Sequence, residues 1–198
     1  MIEVYQMRTA EIKRTTKETD ITVILNVDGS GKTDIDTGIG FFDHMLTALG
    51  VHAGMDLTVK CKGDLYVDGH HSVEDVGICI GKAIAEALGD RSGIARYGSA
   101  YVPMDEALSF CALDISGRPF LSYKAELTDF RCGEFDTCLT EEFWRAFAMN
   151  SGITLHIREE YGKNDHHIIE AMFKAVAHAL KTAMAVTGGG VLSTKGVL

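Results

Sequence analysis

Two short segments carry the residues best suited to bind metal ions: DGHHSVED at residues 68–75 and NDHHIIEA at residues 164–171. Apolar residues at helical spacing follow both segments, which predicts a helix beginning at each one. At a helix start, a histidine and a glutamate three or four residues apart lie on one face. Adjacent histidines lie about 100° apart around the helix axis, so the two members of each pair are expected to bind different ions. The donors are His70, His71 and Glu74 in the first segment, and His166, His167 and Glu170 in the second.

A single HxxE pattern on a helix is typical of a solvated face or a cap. Here the pattern occurs twice, and four of the eight histidines fall in these two pairs, which favours a two-metal site. The five cysteines show no CxxC spacing, so the donors are imidazole and carboxylate rather than thiolate. Such donors suit Mn, Fe or Zn.

The two segments belong to a longer duplication. Leu57 and Leu155 are 98 residues apart, and His70 and His166 are 96 apart. A shorter match aligns SGK at 30–32 with SGR at 116–118, at 86 residues. The 98-residue offset also places His44 on Glu142, which adds a fourth candidate ligand to each half. The predicted ligands are His44, His70, His71, Glu74, Glu142, His166, His167 and Glu170.

A pseudo-symmetric partition of these eight ligands leaves two open positions on each octahedral ion, where substrate could bind. In this hypothesis one ion takes His44, His71, Glu74 and His166, and the other takes Glu142, His167, Glu170 and His70.

The rest of the pattern predicts strands and helices in alternation. Strands are expected at residues 21–27, 55–61, 107–115, 119–124 and 153–157, and helices at 41–49 and 141–149 in addition to the two histidine helices. Gly50 and Gly54 are expected to stop the first helix, and Gly152 the third. The glycines at 89 and 93 mark the boundary between half-chains.

Composition narrows the functional classes. The chain has 198 residues, 46% of them hydrophobic, and a formal net charge of −9. That charge argues against non-specific binding to nucleic acid or to an anionic membrane. The chain lacks a basic-plus-apolar leader and an 18-residue apolar run, so a soluble, cytoplasmic protein is expected. Cys79 and Cys111 lie in apolar runs and are expected to be reduced core residues.

The segments FFDHM, DGHHSVED, KNDHHIIEAMFKA and the terminal STKG together resemble the imidazoleglycerol-phosphate dehydratase family of histidine biosynthesis, over residues 8–198. The resemblance implies an α+β fold (an α/β sandwich) of the ribosomal protein S5 domain 2-like type. Its half-repeats, residues 1–92 and 93–198, would be related by a pseudo-two-fold axis. It further implies two Mn(II) ions per active site and a 24-subunit shell with active sites between subunits. The implied reaction dehydrates D-erythro-1-(imidazol-4-yl)glycerol 3-phosphate to 3-(imidazol-4-yl)-2-oxopropyl phosphate.

The resemblance also assigns roles to individual residues. Glu18 matches the family's catalytic glutamate, an acid or base that is not a ligand; Asp105 and Glu106 are weaker candidates. Guanidinium groups suit phosphate geometry. The implied substrate-binding residues are Glu18, His44, His52, His70, Arg96, Arg118, His166, Ser193, Thr194 and Lys195.

One position departs from the family pattern, because many relatives carry histidine where this chain has Glu142. A carboxylate also coordinates manganese, so Glu142 is retained as a ligand. His156 is the alternative, although its place among the alternating Ile153, Leu155 and Ile157 favours a structural role.

Two other classes of function fit paired metal ions. One is a two-metal phosphoesterase, although such sites rely on bridging aspartates. The other is a scaffold in which metal ions join subunits without catalysis. Nucleotide binding is not indicated, because the glycines at 188–190 lack the GxxxxGKS arrangement of a P-loop.

Overall fold

The computed structural model describes residues 7–194 and 196, and one order of six elements, β-β-β-α-β-α, occurs in it twice. The first copy consists of β1 (Thr9–Thr15), β2 (Thr19–Asn26), β3 (Thr33–Asp36), α1 (Gly40–Ala53), β4 (Asp56–Gly63) and α2 (His70–Leu88). The second consists of β5 (Tyr97–Met104), β6 (Ala107–Asp114), β7 (Phe120–Lys124), α3 (Leu139–Ser151), β10 (Thr154–Tyr161) and α4 (Asp165–Ala183). It also contains a short hairpin, β8 (Arg131–Cys132) and β9 (Phe135–Asp136), before α3.

Each copy forms one four-stranded sheet, with the orders β1-β2-β4-β3 and β5-β6-β10-β7. The strand register relates the two sheets. Leu25 pairs with Leu57 in the first sheet, and Leu113 pairs with Leu155 in the second. Equivalent residues are therefore 88 apart in the strands before α1 and α3, and 98 apart in β4 and β10. The β8–β9 hairpin lies between these two groups of strands in the second copy. The mixed α+β fold class is confirmed.

The predicted match of SGK with SGR at 86 residues is wrong by two positions. These residues lie in the turn between β2 and β3 and in its counterpart between β6 and β7. The strands on both sides of the turn follow the 88-residue register, because Thr33 of β3 pairs with Leu57 as Leu121 of β7 pairs with Leu155. Ser30 is therefore the counterpart of Arg118.

The helices join the two halves. In each half the histidine helix packs on its own sheet: α2 on β1 and β2, and α4 on β5 and β6. The helix pairs cross the halves, with α1 against α4 and α2 against α3. A core of buried side chains spans both halves, and among its largest members are Phe42, Phe143, Trp144, Phe147 and Phe173. This arrangement brings the starts of helices from both halves to neighbouring positions.

Close helix contact requires glycine on α2. An ideal Cβ on Gly77 would lie 2.8 Å from the carbonyl oxygen of Phe143, and one on Gly81 would lie 2.7 Å from that of Phe147. Because both obstacles are backbone atoms of α3, rotation of a side chain cannot remove them.

The predicted histidine helices are confirmed, since α2 ends at Leu88 and α4 ends before the glycines at 188–190. Gly50 does not stop α1. The helix continues through it to Ala53, and Gly54, with φ of 74°, ends it. Gly50 instead lets β3 approach, because a Cβ there would lie 2.6 Å from Cγ2 of Thr33.

All five cysteines are free, and Cys79 and Cys111 are buried as predicted. Burial raises the pKa of the Cys79 thiol to about 11. Within residues 7–194, none of the helices is long and apolar enough to cross a lipid bilayer.

Candidate active site

Helices α1 and α4 bring three candidate ligands together. His44 Nε2 and His166 Nε2 each lie 3.3 Å from Glu170 Oε2. One donor atom from each of these residues lies within 4.8 Å of the other two. The Glu170 side chain is only 8% exposed, whereas both imidazoles remain about half exposed. The trio is therefore a buried carboxylate with two accessible nitrogen donors at the helix surface.

Lys174 fixes the second oxygen of this carboxylate. Its Nζ lies 2.6 Å from Glu170 Oε1, one helical turn along α4. Burial acts to raise the pKa of Glu170, but the Lys174 ammonium and the His44 ring outweigh it, and the pKa falls below its usual value. An ionised carboxylate facing two imidazoles matches the donor chemistry of a divalent first-row metal ion.

The start of α2 carries the counterpart set. His70 Nε2 lies 3.8 Å from Glu74 Oε2 on the next turn. Glu142, in the first turn of α3, lies beside Arg145, with 3.4 Å between Glu142 Oε2 and Arg145 Nε. In residues 7–194, the trio around Glu170 is the only group of three donors at metal-binding spacing. Glu142 therefore does not form such a group with His70 and Glu74 within one chain.

His71 and His167 are each oriented by a carboxylate. His71 Nδ1 lies 3.1 Å from Asp64, and His167 Nδ1 lies 2.7 Å from Glu106. These hydrogen bonds raise the pKa of both imidazoles. The bond to His167 also lowers the pKa of Glu106, to about 2. A carboxylate on Nδ1 is an arrangement common for histidines that bind metal. Each Nε2 lies near a second carboxylate, with His167 Nε2 3.8 Å from Asp105 and His71 Nε2 3.9 Å from Glu18.

Glu18 lies in the turn between β1 and β2 and remains 54% exposed. Its Oε1 is 3.9 Å from His71 Nε2. The predicted acid/base residue is therefore beside a predicted ligand without bonding to its ring.

A cavity of about 700 Å³ gathers the predicted phosphate-binding residues; we call it the Arg96 cavity. Its lining includes Arg96, Arg118, Ser193 and Thr194. Arg96 is buried and held by the carboxylate of Asp114, whereas Arg118 is largely exposed. Lys195 lies outside the described residues.

The remaining three histidines, His52, His156 and His178, lie elsewhere. His52, near the end of α1, has its ring centroid 5.4 Å from that of His178. Burial, together with the charge of Lys174, lowers the pKa of His52. His156 lies on the exposed face of β10, with its ring 6.2 Å from that of Phe120. That face is opposite the helices, because the neighbouring Leu155 and Ile157 are buried.

The hypothesised ligand partition stays a prediction, and the structure gives the positions of three of its members. His44 and His166 lie together as expected, but Glu170, assigned to the other ion, completes their group. The reason is that α1 packs on α4 rather than on α2, so His44 faces the glutamate of the second half.

Sequence reasoning missed Asp64 and Lys174. Lys174 follows Glu170 by four residues, a helical spacing that favours an ion pair, so a signal for it was present. Asp64 lies in an irregular segment after β4 and meets His71 only through the fold, and its sequence neighbours give no signal.

Histidines and glutamates at the starts of paired helices in a repeated α+β unit give this chain a candidate metal-binding group. Comparison with known proteins identifies the class of enzyme. The imidazoleglycerol-phosphate dehydratase family model matches residues 37–180, and the chain belongs to this family of hydro-lyases in histidine biosynthesis.

Named relatives match along nearly their whole length. The imidazoleglycerol-phosphate dehydratase of Clostridium kluyveri is 56% identical over 194 residues, which is 97% of this chain and 100% of the relative. That of Alkaliphilus metalliredigens is 59% identical over 187 residues, 93% and 96% of the two chains.

Solved structures of the family have a similar fold. The dehydratase of Staphylococcus aureus superposes with a TM-score of 0.82 at 41% identity, covering 90% of this chain and 99% of that one. The enzyme of Pyrococcus furiosus, solved in complex with (S)-C348, gives 0.82 at 38% identity, covering 94% and 100%.

Proposed function

We propose that this chain dehydrates D-erythro-1-(imidazol-4-yl)glycerol 3-phosphate to 3-(imidazol-4-yl)-2-oxopropyl phosphate and water, with manganese. The observation that supports this most directly is the group formed by His44, His166 and Glu170. Two imidazole nitrogens and one carboxylate fit Mn(II), and a bound cation would lower the proton affinity of an imidazole ring coordinated to it.

A second ion is proposed from the duplication. The register makes Glu142 the counterpart of His44, and His70 and Glu74 the counterparts of His166 and Glu170. These residues begin α3 and α2, which pack together as α1 and α4 do. We therefore propose two Mn(II) ions per active site, one at each helix pair.

His71 and His167 complete the proposed ligand set. Their carboxylate partners hold Nδ1, and Nε2 lies 3.9 Å from Glu18 in His71 and 3.8 Å from Asp105 in His167. We propose that each reaches a metal ion held by a neighbouring subunit, in a 24-subunit assembly with active sites between subunits. Native mass spectrometry with and without Mn(II) would report the subunit number directly.

The residues of this chain suit the remaining tasks. Arg96, oriented by Asp114, and the exposed Arg118 would bind the substrate phosphate together with Ser193 and Thr194 of the same cavity. Lys195 is proposed as a further phosphate-binding residue. His52 would contact the bound substrate from the end of α1. The Arg96 cavity is large enough for the phosphate and part of the glycerol chain.

Glu18 would move the proton. Dehydration removes the hydroxyl on the carbon attached to the imidazole and a proton from the next carbon, and the resulting enol becomes the ketone. The Glu18 carboxyl would either protonate the departing hydroxyl or accept the carbon-bound proton. Its exposure and its place beside His71 Nε2 support this role.

We further propose that residues 1–92 and 93–198 are half-repeats of one integrated catalytic unit. The helix pairs support this, since each contains one helix from each half. Five free thiols fit a reducing compartment, so we propose a cytoplasmic location.

The test is incubation with imidazoleglycerol phosphate and Mn(II), with separate measurements of ketone product and of released inorganic phosphate. We expect the ketone, no phosphate release and loss of turnover on chelation. Phosphate release without ketone would instead identify a phosphoesterase, and assembly that responds to Mn(II) without either product would identify a metal-joined scaffold.

A further inference from the structure

A second cavity occupies the position in the first half that the Arg96 cavity occupies in the second. This Arg8 cavity has a volume of about 570 Å³, and its lining includes Arg8, Ser30 and Lys181. The backbone oxygen of Arg8 accepts from Val27 as that of Arg96 accepts from Ile115, which extends the 88-residue register to these arginines. Ser30 and Arg118 are the second equivalent pair. Both pairs line their respective cavities, so the duplication produced the cavity twice.

Arg8 and Arg96 use their hydrogen-bond donors in the same way. Nε and Nη2 of Arg8 donate to Asp28, and Nη1 donates to the carbonyl oxygen of Met184. Nε and Nη2 of Arg96 donate to Asp114, and Nη1 donates to the carbonyl oxygen of Leu192. A guanidinium has five N–H groups. Within the described chain, each arginine therefore has one N–H without an acceptor on each of its two terminal nitrogens. These two N–H groups can both donate to a phosphate from one side.

Each cavity is lined by two cationic side chains, and the arginine of each pairs with one carboxylate; beside the Arg8 cavity a further carboxylate, Asp56, accepts from the backbone N–H of Ser30. Arg96 and Arg118 provide two positive charges against Asp114. In the Arg8 cavity, Ser30 stands in the place of Arg118, and Lys181 from the end of α4 provides the second positive charge against Asp28. Lys181 has no carboxylate within 4.0 Å among the residues that the structure describes, so its ammonium is not neutralised by an ion pair.

We propose that the Arg8 cavity is a second binding site for a phosphate dianion, held by Arg8 and Lys181 and separate from the site of dehydration. The ligand is inorganic phosphate or the phosphate group of a small monoester, because both present the same oxygens. This second site rests on the proposed function only through the comparison with the Arg96 cavity, and phosphate binding there requires no catalytic activity.

Isothermal titration of the manganese-loaded full-length protein with inorganic phosphate tests this site. Lys181→Ala is expected to remove one phosphate equivalent per chain while leaving dehydration unchanged. Lys82→Ala, which removes an exposed lysine of α2, is the matched control and should keep every equivalent. Arg118→Ala should remove a different equivalent, so that the double variant with Lys181→Ala loses both.

A gain of affinity provides the complementary test. Ser30→Arg restores the cation that Arg118 supplies in the other half, and it should tighten the Lys181-dependent equivalent about tenfold. Titration with glycerol 3-phosphate identifies the source: competition for that equivalent indicates a monoester site, and its absence indicates inorganic phosphate.

Identical phosphate binding by Lys181→Ala and Lys82→Ala, with no effect of Ser30→Arg, would overturn the proposal and leave Arg8 as a tie between β1 and the end of α4. If the wild-type protein made no ketone while Lys181→Ala still lost one equivalent, the proposed function would fail and this site would stand.

Discussion

Glu18 and Glu106 occupy the same position of the duplicated unit, 88 residues apart, each just before the second strand of its sheet. Their surroundings have diverged. Glu106 bonds to His167 Nδ1 at 2.7 Å and accepts from two backbone N–H groups, those of Lys163 and Asn164. Glu18 has no such bond to a ring, because Asp64 has taken the corresponding place beside His71. One glutamate is thus hydrogen-bonded to a histidine, and the other has no such bond, as the proton transfer proposed for Glu18 requires.

Exchanging each glutamate for glutamine should separate these roles. We expect Glu18→Gln to retain bound manganese and substrate affinity while kcat falls at least a hundredfold, since a positioned acid or base contributes roughly 10²–10⁴. Glu106→Gln should instead weaken manganese binding. Metal analysis beside steady-state kinetics checks both, and an active Glu18→Gln enzyme would contradict the assignment.

Asp64 should matter for metal binding although it is not itself a predicted ligand. Its carboxylate fixes the tautomer and orientation of His71, and loss of such a partner typically costs 10–100-fold in metal affinity. We therefore expect Asp64→Asn to weaken Mn(II) binding by roughly that factor, measured by titration against a chelator. Asp34→Asn, which removes only a surface pair with Lys60, should leave affinity unchanged.

Arg118→Ala should affect substrate binding more than folding. The side chain is 67% exposed, so its loss opens no gap in the core. Charge-assisted hydrogen bonds to phosphate contribute about 1.5–3 kcal/mol, and KM should rise roughly ten- to a hundredfold. The unfolding midpoint should stay within about 1 °C of the wild type; an unchanged KM would remove Arg118 from the phosphate site.

Gly81→Ala tests the contact between α2 and α3. The new Cβ would lie 2.7 Å from a backbone oxygen of Phe147, and the strain should outweigh the gain in helix propensity. We expect a loss of about 2 kcal/mol in the free energy of unfolding. Gly40→Ala is the control because a Cβ there meets no atom within 4 Å. Chemical denaturation of both variants gives the comparison, and equal stabilities would contradict the close helix contact.

The Arg8–Asp28 ion pair should make the free energy of unfolding depend on pH in the acidic range. Hydrogen bonding to Arg8 holds the pKa of Asp28 below its usual value of 3.8, so the folded state favours the ionised form. The contribution is complete above pH 3.8 and is lost as the pH falls through the folded-state pKa. Asp28→Asn should cost about 1 kcal/mol at pH 7, and its difference from the wild type should shrink below pH 4. A pH-independent difference in unfolding free energy would contradict this.

The helices and inner strands were predictable because burial imposes a period on their sequences. β2 alternates buried and accessible residues along its length, and α2 and α4 carry apolar stripes. The outer strands β1, β3 and β5 were missed. Each lies at the edge of its sheet. The exposed faces of β1 and β3 are mostly charged or polar, and that of β5 carries tyrosine, serine and proline, so the apolar alternation is too weak to detect.

The donor types were predictable from the sequence, but their grouping was not. Both histidine pairs and His44 follow from motif and offset. Which glutamate faces His44 depends on whether α1 packs on α2 or on α4, and an amphipathic stripe does not specify its partner. The same holds for Asp64, whose contact with His71 arises only when the segment after β4 folds back on the start of α2.

The crossed helix pairs have a consequence for the origin of the enzyme. His44 belongs to one repeat, and His166 and Glu170 belong to the other, so a one-repeat ancestor could assemble this trio only as a homodimer. After two gene copies had fused, each position could change in one half alone. The Arg96 cavity could therefore have Arg118 where the Arg8 cavity has Ser30.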